Sequence, residues 1–192
     1  MHKYYLIYKP FQVLSQFSSE DEKLCLKDFF SVEKDVYPVG RLDYDSEGLL
    51  LLTNDTSLNK KLLHPTNAHQ RTYWVQVDGN ISETEIEKLT NGTVITVERK
   101  QYKTLPCKAT IFTTAPNVPE RNPPIRFRKN ILAPWISITL TEGKNRQVRK
   151  MTAAVGFPTL RLIRHSMEAL TIDGMLPGDI KQITLADILN KS

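Results

Sequence analysis

GRLDYDSEGLLLLTND, residues 40–55, sets three carboxylates, Asp43, Asp45 and Glu47, directly ahead of four consecutive leucines, Leu49 to Leu52. The leucine run with Thr53 is too short for a helix and reads as a strand buried on both faces. The polar residues before it then form a turn at the mouth of that strand. Their spacing invites comparison with a calcium loop. Asp43, Asp45, Glu47 and Gly48 fall at positions 1, 3, 5 and 6 of an EF-hand, and Leu50 falls where an apolar residue is usual. Position 12, however, is Asn54 instead of a bidentate glutamate, and the preceding VYPVG carries a proline and a glycine where a helix should enter. No metal site is expected here.

On either side of this stretch the pattern is one of short elements. YYLIYK, residues 4–9, is apolar and β-rich and stops at Pro10, which predicts a first strand. Ser19 and Glu22 have capping-box spacing ahead of Leu24, Leu26, Phe29 and Phe30, which predicts a short helix. VYPVG is a strand fragment closed by Gly40, and Leu58, Leu62 and Leu63 have helical spacing up to His64-Pro65. RTYWVQVD, residues 71–78, alternates as a strand, and Ser82 with Glu85 opens a helix that Gly92 closes. TVITV, CKATIF and WISITLT read as further strands. NRQVRKMTAAVG, residues 145–156, returns to helical spacing with Asn145 as N-cap and Val148, Met151 and Val155 on one face. The tail reads as strand, turn and strand before a terminal helix near Thr184. Short strands interleaved with short helices, without a regular β-α-β alternation, predict an α+β fold with a largely antiparallel mixed sheet and short flanking helices.

With 40% hydrophobic and 24% charged residues the chain is of ordinary globular composition, and 192 residues suffice for one domain with room for two lobes. No apolar run approaches the ~18 residues of a membrane span, and no leader pattern opens the chain, so a cytoplasmic protein with no membrane partner is expected. Cys25 and Cys107 lie far apart and the four histidines are scattered, so no zinc set can be assembled. The net charge of +5 is unevenly placed: from Arg121 to Arg164 ten bases meet one acid, Glu142. Such a stretch fits a polyanionic partner, most commonly a phosphate backbone. Within it, residues 115–130, APNVPERNPPIRFRKN, combine four prolines with four bases and read as a binding loop rather than a regular element.

A plain turn leaves one thing unexplained, the placement of Arg41 and Asp43 around a leucine beside a buried strand. An aspartate at a sheet edge is a candidate nucleophile if a cation holds it ionised against the effect of burial. Here the motif becomes specific. GRLDYDSEGLLLLTND resembles the catalytic motif of RsuA-type pseudouridine synthases, and LIYKP, RTYWVQV and EGKNRQVRKMTAAVGFPTLRLIR agree with that family in order. RNPPIR, and a start almost directly at LIYKP without an N-terminal S4-like domain, resemble its RluE branch.

The resemblance covers nearly the whole chain and implies a single catalytic domain over residues 1–192 with a central RNA-binding cleft. It implies that Asp43 attacks a uridine of large-subunit (23S) ribosomal RNA, so that the base detaches, turns and rejoins its ribose through C5. Tyr73 would pack on the uracil and share in proton transfer, and Arg149 would pair with Asp43, with Lys144, Arg146 and Lys150 as open alternatives. Arg41 would contact the RNA backbone beside the displaced base. Arg126, Arg128, Lys144, Arg146, Lys150, Arg161 and Arg164 complete the expected RNA-binding set. Asp45 and Glu47 would shape the turn, Ser46 keeps the hydroxyl of the threonine common there, and Trp135 reads as a sheet residue. No cofactor or metal is implied, because the reaction isomerises one nucleotide without net redox or hydrolysis. The expected state is a monomer acting on RNA, free or in an assembly particle. The competing reading, a non-catalytic RNA-binding assembly factor, has no use for Asp43, Tyr73 and Arg149 together.

Overall fold

A computed structural model describes residues 1–19, 22–125 and 132–189. The chain gathers into two compact units, Met1–His69 with Ile163–Ser192, and Gln70–Leu162. The first unit opens with β1 (Tyr4–Lys9), β2 (Tyr37–Pro38), β3 (Glu47–Thr53) and α1 (Thr56–Leu63). The second holds β4 (Arg71–Val77), α2 (Glu83–Thr90), β5 (Val94–Val97), β6 (Lys100–Lys103), β7 (Lys108–Ile111), β8 (Trp135–Leu140) and α3 (Gln147–Ala154). β9 (Thr159–Met167) begins in the second unit and ends in the first, where β10 (Leu170–Thr171), β11 (Ile180–Gln182) and α4 (Leu185–Leu189) follow.

In the first unit β3 lies between β1 and β9. It runs antiparallel to β1 from Tyr4↔Thr53 to Lys9↔Gly48, and parallel to β9 at Glu47↔Ile163 and Gly48↔Arg164. β11 completes the order beyond β1. All seven residues of β3 are buried, as its continuous apolar run predicts. Leu50 and Leu52 join Ile7, Leu26, Phe30 and Val36 in one core, while Leu49 and Leu51 alternate to the opposite face. Asp55 starts α1, its Oδ1 accepting from the Leu58 N–H at 2.9 Å while Oδ2 accepts from the Tyr4 hydroxyl at 3.0 Å.

In the second unit β4 and β7 flank β8, both antiparallel to it. The pairings run from Arg71↔Leu140 to Gln76↔Trp135 and from Lys108↔Thr139 to Ile111↔Ile136. Val75 and Val77, Ile136 and Ile138, Ile86 and Leu89, and Val148 and Met151 bring β4, β8, α2 and α3 into one core. β5 and β6 form a separate hairpin whose turn residues Glu98 and Arg99 both have positive φ, +48° and +65°. Positive φ at both central residues is what a two-residue hairpin loop needs to match the right-handed twist of its strands.

Two expectations are corrected, and two strands are added. Among the described residues, the helix predicted after Ser19 is a single 3-10 turn, Leu26–Asp28, started by the Asp28 carboxylate accepting from the Cys25 N–H at 2.7 Å. The backbone here is committed elsewhere: Leu14 N–H donates to the Leu24 carbonyl and Leu26 N–H to the Gln16 carbonyl, both at 2.9 Å. Asn145 does not cap α3. Arg146 occupies the cap position at φ +51°, and the Gln147 side chain accepts from the Lys144 N–H at 2.8 Å in place of a cap. β6 and β11 were not predicted, since KQYK and IKQ carry no apolar alternation. In the proline loop, residues 113–125 hold neither helix nor strand, and Arg126 and Arg128 lie outside the described residues.

Candidate active site

Asp43 sits half-buried on the turn that leads into β3. The Ser46 N–H closes this turn on the Asp43 carbonyl at 3.0 Å. Leu42 anchors its entry. The Ser15 hydroxyl donates to the Leu42 carbonyl at 2.8 Å and accepts from the Leu42 N–H at 3.0 Å, and the leucine side chain is buried. At the exit Gly48 has φ +107°, and a Cβ there would lie 2.3 Å from the Arg164 carbonyl oxygen. Only glycine satisfies both the backbone angle and the close approach of β9. The carboxylate is therefore carried on a short span fixed at both ends, while Arg41 beside it is exposed.

Behind the turn lies a buried lysine that no sequence pattern marks. Lys9, at the end of β1 and opposite Gly48, has no solvent access. Its ammonium donates to the carbonyls of Pro10 at 2.8 Å and Val13 at 2.7 Å. Burial lowers its pKa to about 7, Glu47, Asp45 and Asp43 act in the opposite direction, and Arg164 lowers it further. All three carboxylates of the motif thus act on one buried lysine. In the sequence Lys9 looks like the polar end of a strand, and only the strand pairing reveals that it faces inward.

Arg164 and Arg161 lie away from solvent. Charge counting puts both on an RNA-facing surface, but both are buried. The Arg164 Nε donates to the Leu49 carbonyl at 2.7 Å, tying β9 to β3 directly behind the turn. The Arg161 guanidinium lies 5.9 Å from the centroid of the Trp135 ring, a cation–π distance, and Trp135 is a buried β8 residue.

The second unit holds Tyr73, Lys144, Arg146, Arg149, Lys150 and Arg161. Tyr73 is half-buried on β4, opposite Ile138 and packed against the core. Arg149 and Lys150 are half-buried in the first turn of α3. Lys144 and Arg146 are exposed on the turn before it, which closes through the Gln147 N–H on the Lys144 carbonyl at 3.0 Å. A half-buried carboxylate on a turn fixed at both ends is suited to act as a positioned nucleophile, because little ordering is left to the reaction itself. Among the described residues no cluster of three or more His, Cys, Asp or Glu side chains could hold a metal ion, and no helix is long and apolar enough to cross a membrane.

The family of RNA pseudouridylate synthases matches residues 3–154. The ribosomal large subunit pseudouridine synthase E of Vibrio parahaemolyticus is 52% identical over 177 residues, covering 92% of this chain and 72% of the relative. The synthase E of Xanthomonas axonopodis pv. citri is 43% identical over 174 residues, covering 90% of this chain and 89% of the relative. A crystal structure of a pseudouridylate synthase has the same fold, with a TM-score of 0.78 at 22% identity over 98% of this chain and 73% of that one.

Proposed function

The chain belongs to the RNA pseudouridylate synthase family, and we propose that it isomerises one uridine of large-subunit ribosomal RNA to pseudouridine with Asp43 as the nucleophile. The names of its relatives support the substrate. The observation that carries the choice of Asp43 is its turn, pinned by Ser15 at Leu42 and by the contact of Gly48 with Arg164. Attack by the carboxylate at the ribose carbon forms an ester to Asp43 and frees the base, and the ester bond breaks again, returning the carboxylate, when C5 takes its place. The bond from N1 to the ribose breaks, the base turns, and C5 bonds to the same ribose carbon. C5 gives up its proton and N1 gains one, so product and substrate have the same atoms and oxidation state.

A base in folded RNA must leave its stack to meet Asp43, at a cost of a few kcal/mol that contacts elsewhere must offset. The exposed Arg41, Lys144 and Arg146, with Lys150, are the proposed phosphate contacts. Tyr73 as the residue that packs on the uracil and Arg149 as the partner of Asp43 are proposed on the resemblance. A ribosomal RNA substrate supports a cytoplasmic location.

The test is a pseudouridine map of large-subunit RNA after treatment with Asp43→Asn. The variant is expected to leave the target unmodified while RNA affinity stays within about twofold, since one uncharged isostere removes no phosphate contact. Full activity in Asp43→Asn would sink the reading, and an unchanged map with wild-type protein would favour an RNA-binding factor. Among Lys144, Arg146, Arg149 and Lys150, Arg149→Ala alone is expected to lower kcat by about a hundredfold or more. The other three alanine variants should act on KM.

A further inference from the structure

We propose that Glu142 is a positioning residue for RNA binding, holding the turn before α3 and the β5–β6 hairpin together as one cationic platform for a phosphate backbone. This rests on the RNA-substrate reading above. Glu142 is the single acid among ten bases between Arg121 and Arg164. On a surface that attracts phosphate, an acid weakens the field, so its presence there calls for another reason.

The hydrogen bonds supply one. Glu142 is half-buried, two residues past the end of β8. Its Oε1 accepts from the Leu105 N–H at 2.8 Å and from the Gln147 carboxamide at 2.7 Å, and its Oε2 accepts from the Tyr102 hydroxyl at 2.5 Å. The three donors come from β6, from the segment leaving the hairpin and from the first residue of α3. The hydrogen bond to Glu142 is also the main reason the Tyr102 phenol is held above its ordinary pKa. All three donors are uncharged groups rather than lysine or arginine side chains.

Two of these partners act on the cationic turn itself. Gln147, held by Glu142 through its amide nitrogen, accepts from the Lys144 N–H through its amide oxygen at 2.8 Å. Tyr102, held through its hydroxyl, offers its ring face to the Lys144 ammonium at 4.9 Å from the centroid. Arg146 follows in the left-handed region at φ +51°, a conformation a non-glycine residue keeps only where its surroundings dictate it. The result fixes exposed Lys144 and Arg146 relative to a hairpin that carries exposed Arg99, Lys100 and Lys103. Cations held in place before binding lose less freedom when they meet phosphate, which is the advantage the glutamate confers.

The experiment measures Kd for a large-subunit ribosomal RNA transcript across a salt series, together with kcat and KM, for full-length Glu142→Ala, Glu142→Gln and Tyr102→Phe. Loss of hydrogen bonds to a charged group predicts about a tenfold rise in Kd and KM for Glu142→Ala with kcat within about twofold. The salt dependence should become shallower by about one phosphate contact. Glu142→Gln should restore near wild-type affinity, because its carbonyl still accepts from Leu105 and Gln147. Tyr102→Phe, which removes one hydroxyl and decides the matter if Glu142→Ala does not fold, should raise Kd a few-fold. The proposal is overturned by an unchanged Kd in folded Glu142→Ala, by an unchanged Kd in Tyr102→Phe, by a fall in kcat at constant Kd, or by Glu142→Gln binding as weakly as the alanine variant. A wild-type protein that fails to bind the transcript also overturns it. Wild-type binding without turnover would instead count against the enzymatic reading, leaving the Kd series to decide on Glu142.

Discussion

Lys9 and Gly48 face each other across β1 and β3, and each constrains what the Asp43 turn can be. The folded-state pKa of Lys9, about 7, lies below the ordinary 10.5. Between those values the unfolded chain holds a proton that the folded chain has released, so stability rises with pH across that window. Below pH 7 both states are protonated and the cost of burying the ammonium is present in full. The urea midpoint is therefore expected to climb between pH 7 and pH 9, and Lys9→Met should remove most of the climb, worth on the order of a few kcal/mol. A flat wild-type profile would contradict this. Gly48→Ala meets both a positive φ and a 2.3 Å approach to the Arg164 carbonyl. It should destabilise the fold by about 3 kcal/mol or more in denaturant melts and lower activity with it. Asp43 and Arg41 could be picked out in the sequence because they sit in one contiguous motif. The burial of Lys9 and Arg164 is not legible there, because it comes from strand pairing between segments far apart in the chain.

Elements with a period of their own were legible: β1, β3, β4, β8, α1 and α2 lie where alternation, apolar runs and capping spacing put them. Elements shaped by competition for hydrogen bonds were not. The segment after Ser19 has a helical pattern, yet its carbonyls and N–H groups pair with residues 14–16 and leave one 3-10 turn. α3 begins without the expected Asn145 cap because Gln147 reaches back to Lys144 instead. α1 gives the cleanest test of a cap. Asp55 accepts from Leu58 and from the Tyr4 hydroxyl, and the Leu58 N–H is the main cause that holds its carboxyl below the usual range. Asp55→Ala should cost about 1–2 kcal/mol in thermal melts, whereas Asp55→Asn keeps an acceptor and should lose less. Equal losses in the two variants would mean that the charge, not the cap, carries the effect.

Counted along the chain, ten bases fall between Arg121 and Arg164. Those among the described residues sort by burial: Arg161 and Arg164 are interior, Arg121, Arg149 and Lys150 half-buried, and Lys144 and Arg146 exposed. A linear charge count cannot make that distinction, since solvent access is set by tertiary packing. The two classes should respond differently to salt. Lys144→Ala and Arg146→Ala should each reduce the slope of log affinity against log salt by about 0.7–0.9. Arg161→Ala should leave the slope unchanged and lower the melting temperature, because it removes a buried guanidinium from above Trp135. A slope change in Arg161→Ala would return it to the RNA surface.

The first unit is built from both ends of the chain, and the second from the uninterrupted stretch Gln70–Leu162. During synthesis the second unit has its whole core in hand once residue 162 has left the ribosome, since its buried residues run from Val75 to Leu162. The turn that carries Asp43 must wait longer, because its exit is fixed by Gly48 lying against Arg164. A growing chain therefore carries Asp43 long before its turn is held in place, and a product cut short ahead of Arg164 is expected to form no pseudouridine when assayed on ribosomal RNA.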